Sequence, residues 1–190
     1  MRPKRFGKTL MLSTCRYFFD MYESEKNRAL FKGLYVEKSS FFKEQGQYPV
    51  IFISLKDIKE DSYEKFIQKI METIGEEFTR HSYLGDSIKL SAGDKQIFKN
   101  ISERSGKVEQ MANSLKYLSK YLSNHHGRKV VILIDEYDTP IIEGELRGYY
   151  EKAKDFIAKL LSAGVKDNDN LHIGIMTGIV RMSGAGIFSG

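Results

Sequence analysis

"VVILIDEYD", residues 130–138, decides the fold class. Val130 to Ile134 is apolar on both faces, as a strand must be when it lies inside a parallel sheet covered by helices. The run then stops at two adjacent carboxylates, Asp135 and Glu136. Charges at the end of a buried strand are costly unless a metal, water or a ligand satisfies them. The carboxyl ends of strands are also where open α/β sheets bind ligands. Asp135 is therefore a candidate to hold Mg²⁺ through water, and Glu136 to polarise an attacking water as general base. The competing reading is a strand closed by an acidic turn, with Asp138 capping toward Pro140.

Two further runs read as strands: Tyr48–Leu55, with Pro49 at its start, and His172–Thr177. Helical spacing falls between them. Ser62 can cap a helix carrying Phe66, Ile67, Ile70, Met71, Ile74 and Phe78. A short helix is expected around Lys95–Glu103. One continuous helix is expected through Val108, Met111, Leu115, Leu118 and Leu122, ended by Asn124-His-His-Gly127. Another is expected from about Leu146 to Ala163. Alternation of this kind predicts an α/β domain with a mostly parallel sheet.

Upstream lies Arg2-Pro-Lys-Arg-Phe-Gly7-Lys8-Thr9, followed by a helix pattern over Thr9–Phe19. A phosphate loop needs inward-pointing backbone N–H groups, a Lys for the β- and γ-phosphates, and a Ser or Thr hydroxyl on Mg²⁺. A helix beginning there adds its N-terminal amides and the favourable end of its dipole. The standard pattern is G-x-x-x-x-G-K-[ST], and the first glycine position here is Arg2. Gly-Lys-Thr alone does not separate a phosphate site from an ordinary helix start. The paired carboxylates downstream favour the site. Thr177 and Arg181 follow the last strand and are candidates for a polar sensor near the γ-phosphate, where an Arg stabilises developing charge. The many Phe and Tyr read as core, with Tyr17-Phe-Phe19 an alternative set near the nucleotide.

The net charge of +5 is uneven. Residues 1–50 hold 10 Lys+Arg and 5 Asp+Glu, and the remaining residues hold 20 of each. The surplus beside the loop suits an anionic partner, a nucleotide or a nucleic acid, and equally a solvated basic surface. At 41% hydrophobic residues the 190-residue chain can bury one core. No apolar run is long enough to cross a bilayer, and no signal peptide is legible. The lone Cys15 excludes an internal disulfide and a cysteine zinc site, so a cytoplasmic protein is expected. Cys15 itself reads as a small buried side chain. His125 and His126 read as exposed, and neither His81 nor His172 has metal-ligand spacing.

"RPKRFGKTLMLSTCRYFFD" (2–20), "YPVIFISLKD" (48–57), "VVILIDEYDTPI" (130–141) and "LLSAGVKDNDNLHIGIMTGIVRMSGAGIFSG" (160–190) follow one another as in a known family. The sequence closely resembles the bacterial AAA-ATPase-like family. Its members pair a predicted P-loop ATPase domain with a C-terminal PD-(D/E)xK nuclease-like domain. The most specific matches are R-P-x-R-F-G-K-[ST] and D-E-Y-D-x-P. The first Walker A glycine is also replaced in that family, so Arg2 is an expected variation.

The resemblance implies a P-loop NTPase-like three-layer sandwich, ATP and Mg²⁺ as cofactors, and a hydrolase reaction. Arg5, Phe6, Gly7, Lys8, Thr9 and Leu10 would form the nucleotide loop. Thr9 and Asp135, the Walker B acid, would hold the metal. Glu136 would be the catalytic base, with Arg181 in the T-G-I-x-R segment as sensor. Family members carry a strand leading into the loop, expected here beside Val130–Ile134. Residues 1–190 therefore read as a single partial domain without its first strand, and any DNA partner would be reached through the nuclease-like domain. No Asn/Thr-Lys-x-Asp guanine motif stands out, which leans toward ATP. The oligomeric state is not legible. The alternatives are a nucleic-acid-associated module and a non-hydrolysing remnant with a vestigial nucleotide site.

Overall fold

A computed structural model describes residues 7–166 and 168–179 of the chain. Within it, three parallel strands form one sheet in the order β1 (Val50–Ser54), β2 (Val130–Asp135), β3 (Leu171–Met176). Val50 pairs with Val131 and Ser54 with Asp135, while Ile134 pairs with Met176. The strands thus end together, and Ser54, Asp135 and Thr177 line the carboxyl edge. Two backbone bonds continue the pairing past the strand ends: Leu55 N–H donates to Asp135 O at 2.9 Å and Thr177 N–H to Ile134 O at 2.9 Å.

Strand β2 is buried along its whole length, as its sequence requires. Val131 and Leu133 pack with Leu12 of α1 (Lys8–Phe19), Tyr48 and Val50 on one face. Val130, Ile132 and Ile134 face the larger core on the other side. That core is built by α3 (Tyr63–Arg80), α4 (Ala92–Ser102), α6 (Ser114–His126) and α8 (Tyr150–Val165). The helices begin where capping chemistry allows. Ser62 Oγ accepts from Lys65 N–H at 3.3 Å, and Ser91 Oγ accepts from Asp94 N–H at 3.1 Å. Between α1 and β1 the chain forms α2 (Ser24–Arg28) and a series of 3₁₀ turns.

Three expectations need correction. The helix expected through 108–122 is two, α5 (Val108–Ala112) and α6, broken at the exposed Asn113. Its Nδ2 donates to Glu109 O at 2.9 Å and competes with the helical ladder. The helix expected from Leu146 is also two, α7 (Thr139–Arg147) and α8, separated at Gly148 with φ 81°. Pro140 lies in the first turn of α7, where its missing N–H costs nothing. Last, β2 has β1 on one side and β3 on the other, so a strand leading into the loop cannot lie beside Val130–Ile134. Among the described residues the edge strands are β1 and β3.

Candidate functional site

Gly7 precedes α1 in the left-handed region, φ 71° and ψ 23°, a conformation glycine adopts without the steric cost of a Cβ. The first helical hydrogen bond runs from Met11 N–H to Gly7 O at 2.8 Å. The N–H groups before Met11 therefore have no partner within the helix. No side chain caps this end and no acid lies in its first turn. The helix is left with a positive end that an external anion would complement.

Lys8 Nζ donates to Gly178 O at 3.2 Å, tying the start of α1 to the segment after β3. Gly7, Lys8, Thr9 and Leu10 line a cleft of about 580 Å³ together with Glu136, Lys59, Thr139, Glu143 and Ile179. Segments well over a hundred residues apart in the chain thus meet at the carboxyl end of the sheet. The volume falls in the ordinary range of small-molecule sites.

Asp135 is 1% exposed at the end of β2. Its Oδ1 accepts from the Thr177 hydroxyl, and its Oδ2 has no hydrogen-bond partner among the described residues. A buried carboxylate oxygen in that state is costly unless a cation or donor reaches it. Glu136, the next residue, has φ 51°, which is uncommon for a residue with a Cβ. Such backbone conformations gather at functional sites, where surrounding structure holds them. Here Glu136 N–H donates to Thr177 Oγ1 at 3.4 Å, and Glu136 Oε2 accepts from Thr139 Oγ1 at 3.4 Å. The Thr177 hydroxyl thus bonds the Asp135 carboxylate and the Glu136 backbone, and Thr139 bonds the Glu136 carboxylate.

Of the residues expected in the nucleotide loop, Gly7, Lys8, Thr9 and Leu10 line the cleft, and so does Glu136. Asp135 stands directly behind Glu136. Arg5, Phe6 and Arg181 lie outside the described residues. Tyr17-Phe-Phe19 are at the far end of α1, roughly 15 Å along the helix axis from Lys8. Phe19 packs with Tyr48 at the amino end of the sheet, so these rings are not near the cleft. Asp138 does not cap α7 with its side chain: it is 2% exposed, and its Oδ2 accepts from Ile179 N–H at 2.6 Å.

His125 and His126 are also placed differently. His126 Nε2 meets Tyr83 Oη at 2.9 Å and His125 Nδ1 meets Ser87 Oγ at 2.8 Å, so the pair is half-buried. Burial, with the neighbouring charges of His125, His81 and Lys89, pushes the His126 pKa down to about 4. His172 stacks on Tyr48 with ring centroids 4.2 Å apart. Among the described residues no group of three or more His, Cys, Asp or Glu could hold a metal ion. Cys15 packs partly buried against Leu12 and its neighbours, and burial pushes its thiol pKa up.

Lys59, Thr139 and Glu143 went unread in the sequence. Lys59 follows β1, and the other two belong to α7. The only signal for them is topological: loops and helix starts at the carboxyl ends of parallel strands converge.

Residues 1–188 match the family model described as "Predicted AAA-ATPase". The chain belongs to the AAA-ATPase-like family. The whole chain also aligns, at 27% identity over 193 residues, with an uncharacterized protein in the vnfD 5′ region of Azotobacter chroococcum mcd 1. It spans 31% of that relative's length. No solved structure matches. No helix among the described residues is long and apolar enough to cross a membrane.

Proposed function

We propose that the cleft binds ATP with Mg²⁺ and that the domain hydrolyses it, on a P-loop-like architecture. One observation carries the reading. An uncapped helix N-terminus bearing Lys8 and Thr9 faces, in one cleft, the acid that follows a buried, half-satisfied Asp135. Anion-binding and cation-binding chemistry meet there, as a metal-bound polyphosphate needs. Family membership supports the choice of ATP.

In this reading the α1 amides and Lys8 bind the phosphates, and Leu10 extends the backbone wall of the loop. The motif assigns Arg5 and Phe6, which lie outside the described residues, to the same phosphate-binding task. Thr9 and Asp135 would hold Mg²⁺, and the orphaned Asp135 Oδ2 fits that task. The ion supplies charge neutralisation on the phosphate oxygens. Glu136, oriented by Thr139 and Thr177, holds the attacking water and accepts its proton. Arg181 stabilises the charge that develops on the transferred phosphoryl group.

The test is equilibrium binding of ATP with and without Mg²⁺, beside phosphate release. Lys8→Ala should weaken Mg²⁺-dependent binding by about tenfold or more, the value of one hydrogen bond to a charged group. Glu136→Gln should retain binding and slow hydrolysis by about 10²–10⁴-fold. Binding that is indifferent to Mg²⁺ and to Lys8→Ala would contradict the proposal.

A further inference from the structure

One peptide group joins Lys8 and Asp138. The Gly178 carbonyl accepts from Lys8 Nζ at 3.2 Å, while the N–H of the same peptide, on Ile179, donates to Asp138 Oδ2 at 2.6 Å. In a planar trans peptide these two groups point in opposite directions. Fixing one therefore fixes the other. The anchor is firm. Asp138 is buried, and its carbonyl accepts from Ile141 and Ile142 N–H in the first turn of α7, at 3.1 and 3.0 Å. A hydrogen bond to a carboxylate is stronger than one between neutral groups. The contact is also close: a Cβ on Gly178 would lie 2.8 Å from Tyr137 Cε1 and 3.0 Å from Asp138 Cγ. Only glycine lets this peptide sit against Asp138.

We propose that Asp138 is a positioning residue for Lys8. Through the Gly178–Ile179 peptide it presents a carbonyl that holds the Lys8 ammonium at the mouth of the cleft when no ligand is bound. The same peptide ties the end of β3 to the start of α1 and α7, so three walls of the cleft share one fixed group. The effect on the ligand-free amine stands by itself. Its consequence for nucleotide, a pre-placed ammonium released to the phosphates, rests on the function proposed above.

The experiment is trace acetylation of the ligand-free protein with acetic anhydride, with the rate at each lysine read by mass spectrometry. Asp138→Ala should raise the Lys8 rate about fivefold, the ratio set by one net hydrogen bond of ordinary strength. The rates at Lys99 and Lys116, far from the cleft, should not change. Gly178→Ala should do the same by pushing the peptide off Asp138. Asp138→Asn, which keeps an acceptor for Ile179 N–H, should stay close to the starting rate. An unchanged Lys8 rate in the first two variants, or a rise shared by all lysines, overturns the proposal. Adding Mg·ATP to the unaltered protein separates the two readings: failure to protect Lys8 counts against the nucleotide function alone.

Discussion

Glu77 and Asp135 are both buried carboxylates, 7% and 1% exposed, and both lie against the same sheet. Their surroundings differ in kind. Glu77 sits outside the free edge of β1 and is saturated from within. Its Oε1 accepts from Phe52 N–H at 2.9 Å and from Arg80 Nη2 at 2.6 Å, and its Oε2 accepts from Arg80 Nε at 3.0 Å. Arg80 also donates to Val50 O and pairs with Asp20 at 3.3 Å. The pair thus satisfies a sheet edge that would otherwise offer unpaired groups to another strand. Asp135 has only the Thr177 hydroxyl, and its second oxygen is unmatched among the described residues. A buried charge completed internally is structural. The other is left incomplete beside the cleft, and the proposed function puts a cation there.

Breaking the completed site should give the largest effect. Glu77→Ala leaves Arg80 without its carboxylate fork and Phe52 N–H without an acceptor. It should cost about 3–5 kcal/mol, the usual loss when one partner of a buried pair is removed, and urea denaturation measures it. The folded fraction should still bind nucleotide. Thr177→Val comes next. It removes the donor to Asp135 and the acceptor for Glu136 N–H, at a cost of about 1–3 kcal/mol, and it should weaken nucleotide binding as well. Loss of stability with no loss of binding would show that Thr177 belongs to the structural class.

Acid sharpens the contrast more gently. Burial pushes the Glu77 pKa up, but the neighbouring His81 and Arg80 outweigh it, and the net shift is down. A carboxylate held below its unfolded value stabilises the fold at higher pH. That contribution is complete above about pH 4.5, the ordinary glutamate range, and is lost as pH falls through the lowered folded value. Unfolding free energy measured from pH 6 to pH 3 should fall over the lower part of that range, and the fall should be shallower in Glu77→Gln.

Much of this was legible from the chain. The all-apolar run 130–134 requires cover on both faces, and the alternation of Val131 and Leu133 with Val130, Ile132 and Ile134 delivers it. Gly7-Lys8-Thr9 and Asp135-Glu136 were readable because each motif is contiguous. The Glu77–Arg80–Asp20 network was not, because Asp20 is 60 residues from Arg80 and nothing in an i,i+3 Glu–Arg spacing distinguishes a sheet-edge clamp from a surface pair. The bond that Asp138 accepts from Ile179 was not legible for the same reason. The neighbours of Asp138 suggest a helix cap, and only the fold brings Ile179 against it. The helix breaks at Asn113 and Gly148 depend on local side-chain competition and a left-handed residue, which apolar spacing passes over.

Thermal unfolding of Asp135→Asn, with and without Mg·ATP, decides whether Asp135 serves the cleft or only the fold. The substitution keeps the shape and removes the uncompensated charge. The ligand-free variant should melt at or slightly above the temperature of the unaltered protein, and the stabilisation by Mg·ATP seen in the latter should disappear. A variant that melts well below the unaltered protein without ligand, yet gains as much from Mg·ATP, would make Asp135 a structural acid like Glu77 and contradict the assignment of the site.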